Sequence, residues 1–265
     1  MSRTPHPLAR LLAPLLLAVA LLLGACGGSP APTADPAPVT TAVPAPPTIA
    51  VPEDTEDTDG ETVAVATAPD VALVARPTTA VTVTTIPGGD VIATLEPVTE
   101  LGSARALLVV DRTDDWLQVA LPVRPNGATG WIPAAGIELR EVDLEVVVDL
   151  SARTLTLTDA GEVVLTTPVA IGTDDTPTPT GRFYITDKVD TGAPAGPYGP
   201  YALGLSAHSD VLDQFAGGPG QIGIHGTDEP DSIGTAASHG CIRLPNDVIV
   251  ALTELVPLGT PVVIV

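Results

Sequence analysis

Residues Ile224 to Leu244 read IHGTDEPDSIGTAASHGCIRL, and the rest of the chain is best read outward from them. They hold two of the four histidines, His225 and His239, one of the two cysteines, Cys241, and the arginine Arg243. Gly226, Pro230, Asp231, Gly234 and Gly240 punctuate the stretch with turn formers. A thiol becomes a strong nucleophile as its thiolate, which a neighbouring imidazole or aligned amide dipoles stabilise. Two imidazoles are on offer. His239 stands two residues before Cys241, and an extended backbone would project both side chains to one face. His225 ends a strand-like run, and the turn-rich segment after it can fold back on Cys241. Gly240 permits a tight backbone beside the thiol, suited to amides aimed at an oxyanion. Arg243 offers a rigid fork suited to a carboxylate.

Around this stretch the chain is poor in reactive groups. It has 29 Pro and 25 Gly in 265 residues, and its seven aromatic residues all lie at Trp116 or later. Abundant Val and Thr with spaced Gly and Pro favour strands over helices. The formal charge is -21. Such an acidic surface repels phosphate backbones, so the sequence calls for no nucleic-acid partner.

The first 25 residues carry Arg3 and Arg10, no acid, and the apolar run Leu11–Leu23. That run is short for a bilayer span and fits the apolar core of a secretory signal. Leu23-Gly24-Ala25-Cys26 follows and resembles a bacterial lipobox, in which the cysteine is lipidated and becomes the new N-terminus. The expected location is therefore extracytoplasmic, on the outer face of the cell membrane, held by lipidated Cys26. An acylated Cys26 cannot pair, which leaves Cys241 as a single free thiol in an oxidising setting. Residues 26–70 hold nine prolines and the acidic run Glu53–Glu61 but no aromatic residue. That composition cannot offset the entropy of ordering, so the segment reads as a disordered tether. Fully extended it would span roughly 130 Å.

From Val71 the pattern becomes strand-like. Val81–Thr84 alternates, Asp90–Leu95 follows Pro87-Gly88-Gly89, and Leu107–Val110 is a short apolar run. Asp115–Val119 and Gly130–Pro133 each carry a tryptophan, and Asn126-Gly127 marks a turn between them. Five or so short strands suggest a small barrel, with Trp116 and Trp131 filling its core. The segment DWLQVALPVRPNGATGWIPAAGIEL resembles a bacterial SH3-like domain, placed at 71–140.

Residues 141–265 form a second strand-rich region. Leu144–Val148 opens it, Arg153–Thr158 and Glu162–Ala170 flank the turn Asp159-Ala160-Gly161, and Arg182–Thr186 and Gln221–His225 add strands. Asn246 suits a helix cap, Val248, Ile249, Leu252 and Leu255 mark one helical face, Pro257 ends it, and Pro261–Val265 closes on a strand. His208 reads as an exposed loop histidine and Gly217–Gly220 as a turn.

His225-Gly226-Thr227 with Ser238-His239-Gly240-Cys241-Ile242-Arg243 resembles the signature of the L,D-transpeptidase (YkuD-like) family. Thr178-Pro179-Thr180-Gly181 and Pro197-Tyr198-Gly199-Pro200-Tyr201 also look like segments of that family. The resemblance implies a mostly-β chain: a YkuD-like β-sandwich with one clear helix, preceded by the small SH3-like β-barrel and the disordered tether. It implies Cys241 as nucleophile and His225 as its base, oriented by the carbonyl of Gly226. It implies an oxyanion hole from the amides of His239, Gly240 and Cys241, with His239 chiefly structural and Ser238 holding the loop. Arg243 would meet a substrate carboxylate, though many members have asparagine there, and Tyr198 and Tyr201 would line the substrate. The implied partners are peptidoglycan stem peptides and carbapenem-type inhibitors, with no cofactor and no metal. The implied reaction is 3→3 crosslinking through a thioester, or, with water as acceptor, trimming of tetrapeptides by an L,D-carboxypeptidase. Two further readings compete on the residues: a zinc site of His225, His239 and Cys241, which lacks a fourth ligand, and a non-enzymatic wall-binding lipoprotein.

Overall fold

The computed structural model describes residues 71–215 and 217–265. The signal, the lipobox with Cys26 and the tether lie outside the described residues. Strands β1 (Ala72–Pro77), β2 (Val81–Thr84), β3 (Val91–Leu95), β4 (Leu107–Arg112), β5 (Trp116–Ala120), β6 (Thr129–Pro133) and β7 (Ile137–Val142) make one antiparallel sheet. Its order is β3-β2-β6-β5-β4-β1-β7. That is two strands more than the turn spacing marks. β7 escapes the hydrophobic reading because its middle is exposed and charged, and β1 because it ends in proline.

The tryptophans do not fill the core. Side chains alternate across a strand, and Leu117, Val119 and Ile132 take the inward positions. Trp116 and Trp131 fall on the opposite face, half-buried. Aliphatic residues from all the inner strands, among them Val74, Val83 and Leu107, fill the core instead.

The second region follows as β8 (Leu144–Asp149), β9 (Thr154–Asp159), β10 (Glu162–Pro168), β11 (Ile171–Gly172), β12 (Gly181–Asp190), β13 (Tyr201–His208), β14 (Gln221–His225), β15 (Ala236–Ser238), β16 (Ile242–Arg243), α1 (Asn246–Leu255) and β17 (Pro261–Ile264). Eight of these strands form a sheet in the order β10-β9-β8-β17-β12-β13-β14-β16, and β11 pairs with β15 beside it. The β9–β10 hairpin turns at Ala160 (φ 48°) and Gly161 (φ 86°), the two positive φ values that a tight hairpin turn requires. β13 was not legible as a strand. Gly204 and Ser206 interrupt its apolar residues, and most of its side chains are buried.

Helix α1 lies against β13 and β14 and buries Ile249 and Leu252. Leu255, expected on that face, is exposed, and Val256 just beyond the helix enters the core instead. Asn246 does not cap the helix. Pro245 holds that position without a side-chain cap bond, while the Asn246 Oδ1 accepts the Thr227 amide at 2.8 Å. His208, expected in an exposed loop, ends β13 and is buried.

The two sheets meet through side chains. Tyr184, on β12 of the second sheet, is fully buried in the core of the first and donates its hydroxyl to the Ala120 carbonyl at 3.1 Å. Buried Asp187 accepts from Thr99 on the first sheet's side, and Leu144 and Leu258 pack against both cores. Removing the Tyr184 ring leaves a cavity at this junction. Tyr184→Ala is expected to lower stability by roughly 3–5 kcal/mol in urea unfolding, and Tyr184→Phe, which loses only the hydroxyl bond, by about 1 kcal/mol. Equal losses in the two variants would show that the ring does not join the sheets.

Candidate functional site

The site is built on one parallel strand pair. β14 and β16 run side by side with Ile224 opposite Ile242 and His225 opposite Arg243. Side chains on a strand share a face at every second residue. Ile224 and Ile242 point into the core, fully buried, so His225 and Arg243 project to the other face. Cys241 lies just before β16; Arg243 acts on its thiol, and the thiol in turn acts on Tyr198, which packs on the His225 ring. Sequence proximity favours His239, whereas the strand pairing sets His225 beside Arg243, two residues from the thiol.

The His225 ring is oriented by its own neighbour. Its Nδ1 lies 2.5 Å from the Gly226 carbonyl oxygen. A carbonyl only accepts, so Nδ1 carries the proton and Nε2 keeps its lone pair. Tyr198 packs edge-on against this ring, with centroids 4.8 Å apart. Gly226 has no room for a side chain: a Cβ there would meet Asn246 Oδ1, Gly199 and Pro200. The same Asn246 Oδ1 holds the Thr227 amide, so the start of α1 fixes the backbone that orients His225. Tyr201 is half-buried against the core, and its carbonyl accepts the Gly226 amide.

The turn carrying Cys241 is held on several sides. Ser238 Oγ accepts the Gly240 amide at 3.1 Å and donates to the Cys241 carbonyl at 2.5 Å. The three amides expected around an oxyanion are thereby reduced, because the Gly240 N–H is turned to Ser238; the amides of His239 and Cys241 remain the candidates. Gly240 sits at φ 114°, a conformation that favours glycine. Buried Thr178 receives the Gly172 amide on its Oγ1 and donates that hydroxyl to the Gly240 carbonyl, both at 2.9 Å. Ala170 exchanges two backbone bonds with Arg243, and Thr173 donates its amide to the Ser238 carbonyl. Residues 170–178 thus frame both flanks of the turn.

His239 is exposed and stacks on Phe215, with ring centroids 4.9 Å apart. The glycine that precedes Cys241 breaks the extended alternation that would have aimed His239 at the thiol. Arg243 is not a free fork. One of its terminal nitrogens pairs with Glu229 at 2.5 Å, while its Nε is buried without a partner. Glu229 and Phe215 carried no signal in the sequence, since neither belongs to a motif and both reach the site from loops. Among the described residues, no three of His, Cys, Asp and Glu gather as a metal-holding group.

Burial governs the electrostatics. It pushes the Cys241 thiol above its ordinary value, against the pull of the Gly223 amide and the Arg243 cation. Burial, with the Arg243 cation, lowers His225 to about 4, while the bond to Gly226 works the other way. Burial and the nearby Cys241 raise Tyr198. Around neutral pH the resting pair is therefore a thiol and a neutral imidazole whose Nε2 is free to accept a proton.

With this geometry in hand, residues 143–264 match the family model of the L,D-transpeptidase catalytic domain, YkuD. A protein of Bacillus subtilis (strain 168) that bears the name L,D-transpeptidase YkuD is 41% identical over 123 residues, which span 46% of this chain and 66% of the relative. Its counterpart in Bacillus licheniformis is 39% identical over 46% of this chain and 65% of the relative. The chain thus spans just under two thirds of these curated relatives. Among solved structures, a mutant of Enterococcus faecium L,D-transpeptidase matches at 30% identity and a TM-score of 0.34 over 46% of this chain and 50% of the other. The L,D-transpeptidase LdtMt1 in complex with imipenem matches at 20% identity and a TM-score of 0.40 over 62% and 92%. A YkuD-like L,D-transpeptidase catalytic domain over residues 143–264 is supported by the family model and the curated relatives.

Two measurements probe the site. Thr178→Val leaves the buried Gly172 amide and Gly240 carbonyl without the hydroxyl between them. It is expected to destabilise the fold by about 1–3 kcal/mol and to slow alkylation of Cys241; an unchanged rate would remove Thr178 from the frame. Because burial holds the thiol up, alkylation by iodoacetamide should keep rising with pH beyond the ordinary thiol value of 9.0. A plateau already reached below pH 7 would instead reveal a preformed thiolate–imidazolium pair.

Proposed function

We propose that the protein is a peptidoglycan L,D-transpeptidase that forms 3→3 crosslinks through a thioester on Cys241. The observation that carries this reading is the bond from His225 Nδ1 to the Gly226 carbonyl. It leaves Nε2 as a base on the strand face that Arg243 shares, two residues from Cys241. The match of residues 143–264 to the catalytic-domain family supports the substrate class.

In the first half-reaction His225 Nε2 takes the proton from the Cys241 thiol as sulfur attacks the carbonyl of the third, diamino-acid residue of a stem tetrapeptide. The amides of His239 and Cys241 steady the oxyanion. The C–N bond breaks, and the terminal D-alanine leaves with the proton from His225. In the second, an amine of a neighbouring stem attacks the thioester and gives its proton to His225. The C–S bond breaks, the thiolate leaves and takes back the proton from His225, and the new amide bond remains. The low basicity of His225 suits its role as acid, because a weakly held proton passes readily to the leaving amine. Tyr198, edge-on to His225, would flank the bound peptide. Arg243 would meet an acidic group of the substrate with the part of its guanidinium that Glu229 does not occupy. Carbapenems, strained acyl donors of the same carbonyl chemistry, would acylate the same sulfur. Lipidated Cys26 would hold the enzyme at the outer face of the membrane, with residues 27–70 spanning toward the wall.

Incubating the chain with a stem tetrapeptide and separating the products by mass tests the reading. A crosslinked dimer with loss of D-alanine is expected. Tripeptide alone would make the enzyme an L,D-carboxypeptidase, and neither product would refute the proposal. Cys241→Ala should abolish both the dimer and the carbapenem adduct. His225→Ala should slow acylation by about 10²-fold or more, in the range general-base catalysis contributes, whereas His239→Ala should cost far less. A larger loss in His239→Ala would transfer the role of base to His239.

A further inference from the structure

Arg124 lies in the β5–β6 connection of the first sheet, yet all its hydrogen bonds in the structure reach the second region. It donates to the carbonyls of Pro219 (2.6 Å), Ser209 (3.1 Å) and Leu212 (2.8 Å). Asn126, two residues on, pairs with the backbone of His208 in both directions, accepting its amide at 2.9 Å and donating to its carbonyl at 2.7 Å, and also donates to Asp210 at 3.0 Å. Three converging carbonyl oxygens repel one another unless a donor sits among them, and a guanidinium offers five N–H groups in a fixed plane. The packing is close: a Cβ on Gly220, at φ 71°, would strike both Leu212 and Arg124. Arg124 therefore ties together both stems of the loop between β13 and β14.

Further along that loop stands Phe215. It exchanges two backbone bonds with Gly218 and stacks its ring on His239, two residues before the nucleophile. Both rings are exposed, so neither is there to fill a core. A line of contacts thus runs from the first sheet to His239, two residues before Cys241: Arg124, the loop stems, Phe215, His239.

We propose that Arg124 is a positioning residue for the reaction, and that the first sheet acts through it to set the wall against which the stem peptide lies. The substrate side of this inference rests on the transpeptidase reading above. The coupling itself does not. Arg124 does not touch the reacting atoms, so its loss should weaken engagement of the peptide and spare the intrinsic reactivity of the thiol.

The test uses the full chain with the substitutions Arg124→Ala, Arg124→Lys, Phe215→Ala and the double variant Arg124→Ala/Phe215→Ala. With the stem tetrapeptide, Arg124→Ala and Phe215→Ala should each raise KM by about fivefold or more with kcat within about twofold, and Arg124→Lys should recover part of the loss. The double variant should be no worse than the poorer single one, because the two residues act in series. Alkylation of Cys241 by iodoacetamide should not change. An unchanged KM in Arg124→Ala, or losses that multiply in the double variant, would overturn the proposal. Hydrogen exchange gives a readout free of substrate: amides flanking Phe215 should exchange faster in Arg124→Ala than in the parent, and equal exchange would also overturn it. If the parent chain gives no product, the transpeptidase reading fails while this exchange comparison still decides the coupling. If Arg124→Ala does not fold, Arg124→Lys and the exposed Phe215→Ala carry the same comparison.

Discussion

Everything at the site depends on the parallel pairing of β14 with β16. A parallel neighbour sets side chains in step, so one register decides which residues share a face. Here that register buries Ile224 and Ile242 and turns His225 and Arg243 together to the other side. A slip of one residue would turn the imidazole into the apolar core and an isoleucine toward the site. The apolar core therefore specifies the alignment of the polar groups, and the chemistry borrows its accuracy from hydrophobic packing. Thr178, Ser238 and Asn246 then fix what the register leaves free: the turn before Cys241 and the carbonyl behind His225.

Fixing the groups in place also sets their charge state. A pair this enclosed stays neutral at rest, because burial disfavours the thiolate and the imidazolium alike. An unpaired cysteine is open to oxidation in proportion to its thiolate character and exposure. Burial that keeps Cys241 protonated thus also protects it until a substrate is present. Arg243 adds a cation that favours the thiolate, and Glu229 draws off part of that influence.

The sequence disclosed what is local. The β9–β10 hairpin shows in Asp159-Ala160-Gly161 and helix α1 in the spacing of Ile249 and Leu252. It misled where a residue answers to a distant partner. Asn246 looks like a cap by position, but its side chain serves Thr227 across the fold. Trp116 and Trp131 look like core by size, while the alternation of β5 and β6 assigns the core to Leu117 and Ile132. β7 reads as a charged join because its outer face is exposed, and only its pairing with β1 makes it a strand. Arg124 and Glu229 have no local signature at all, since their partners lie in loops that no periodicity predicts.

The position of β17 bears on how the protein is made. It lies between β8 and β12, parallel to one and antiparallel to the other, and so joins the halves of the larger sheet. Both neighbours precede it along the chain. Until β17 has been synthesised, β8 presents an open edge rich in valine and β12 one that carries Phe183 and Ile185, the kind of edge that recruits other strands. The sheet cannot be completed in the order in which its strands emerge, and its closing step joins segments far apart in sequence, which makes for slow folding. The larger sheet would thus be completed late, only after its last strand is seated.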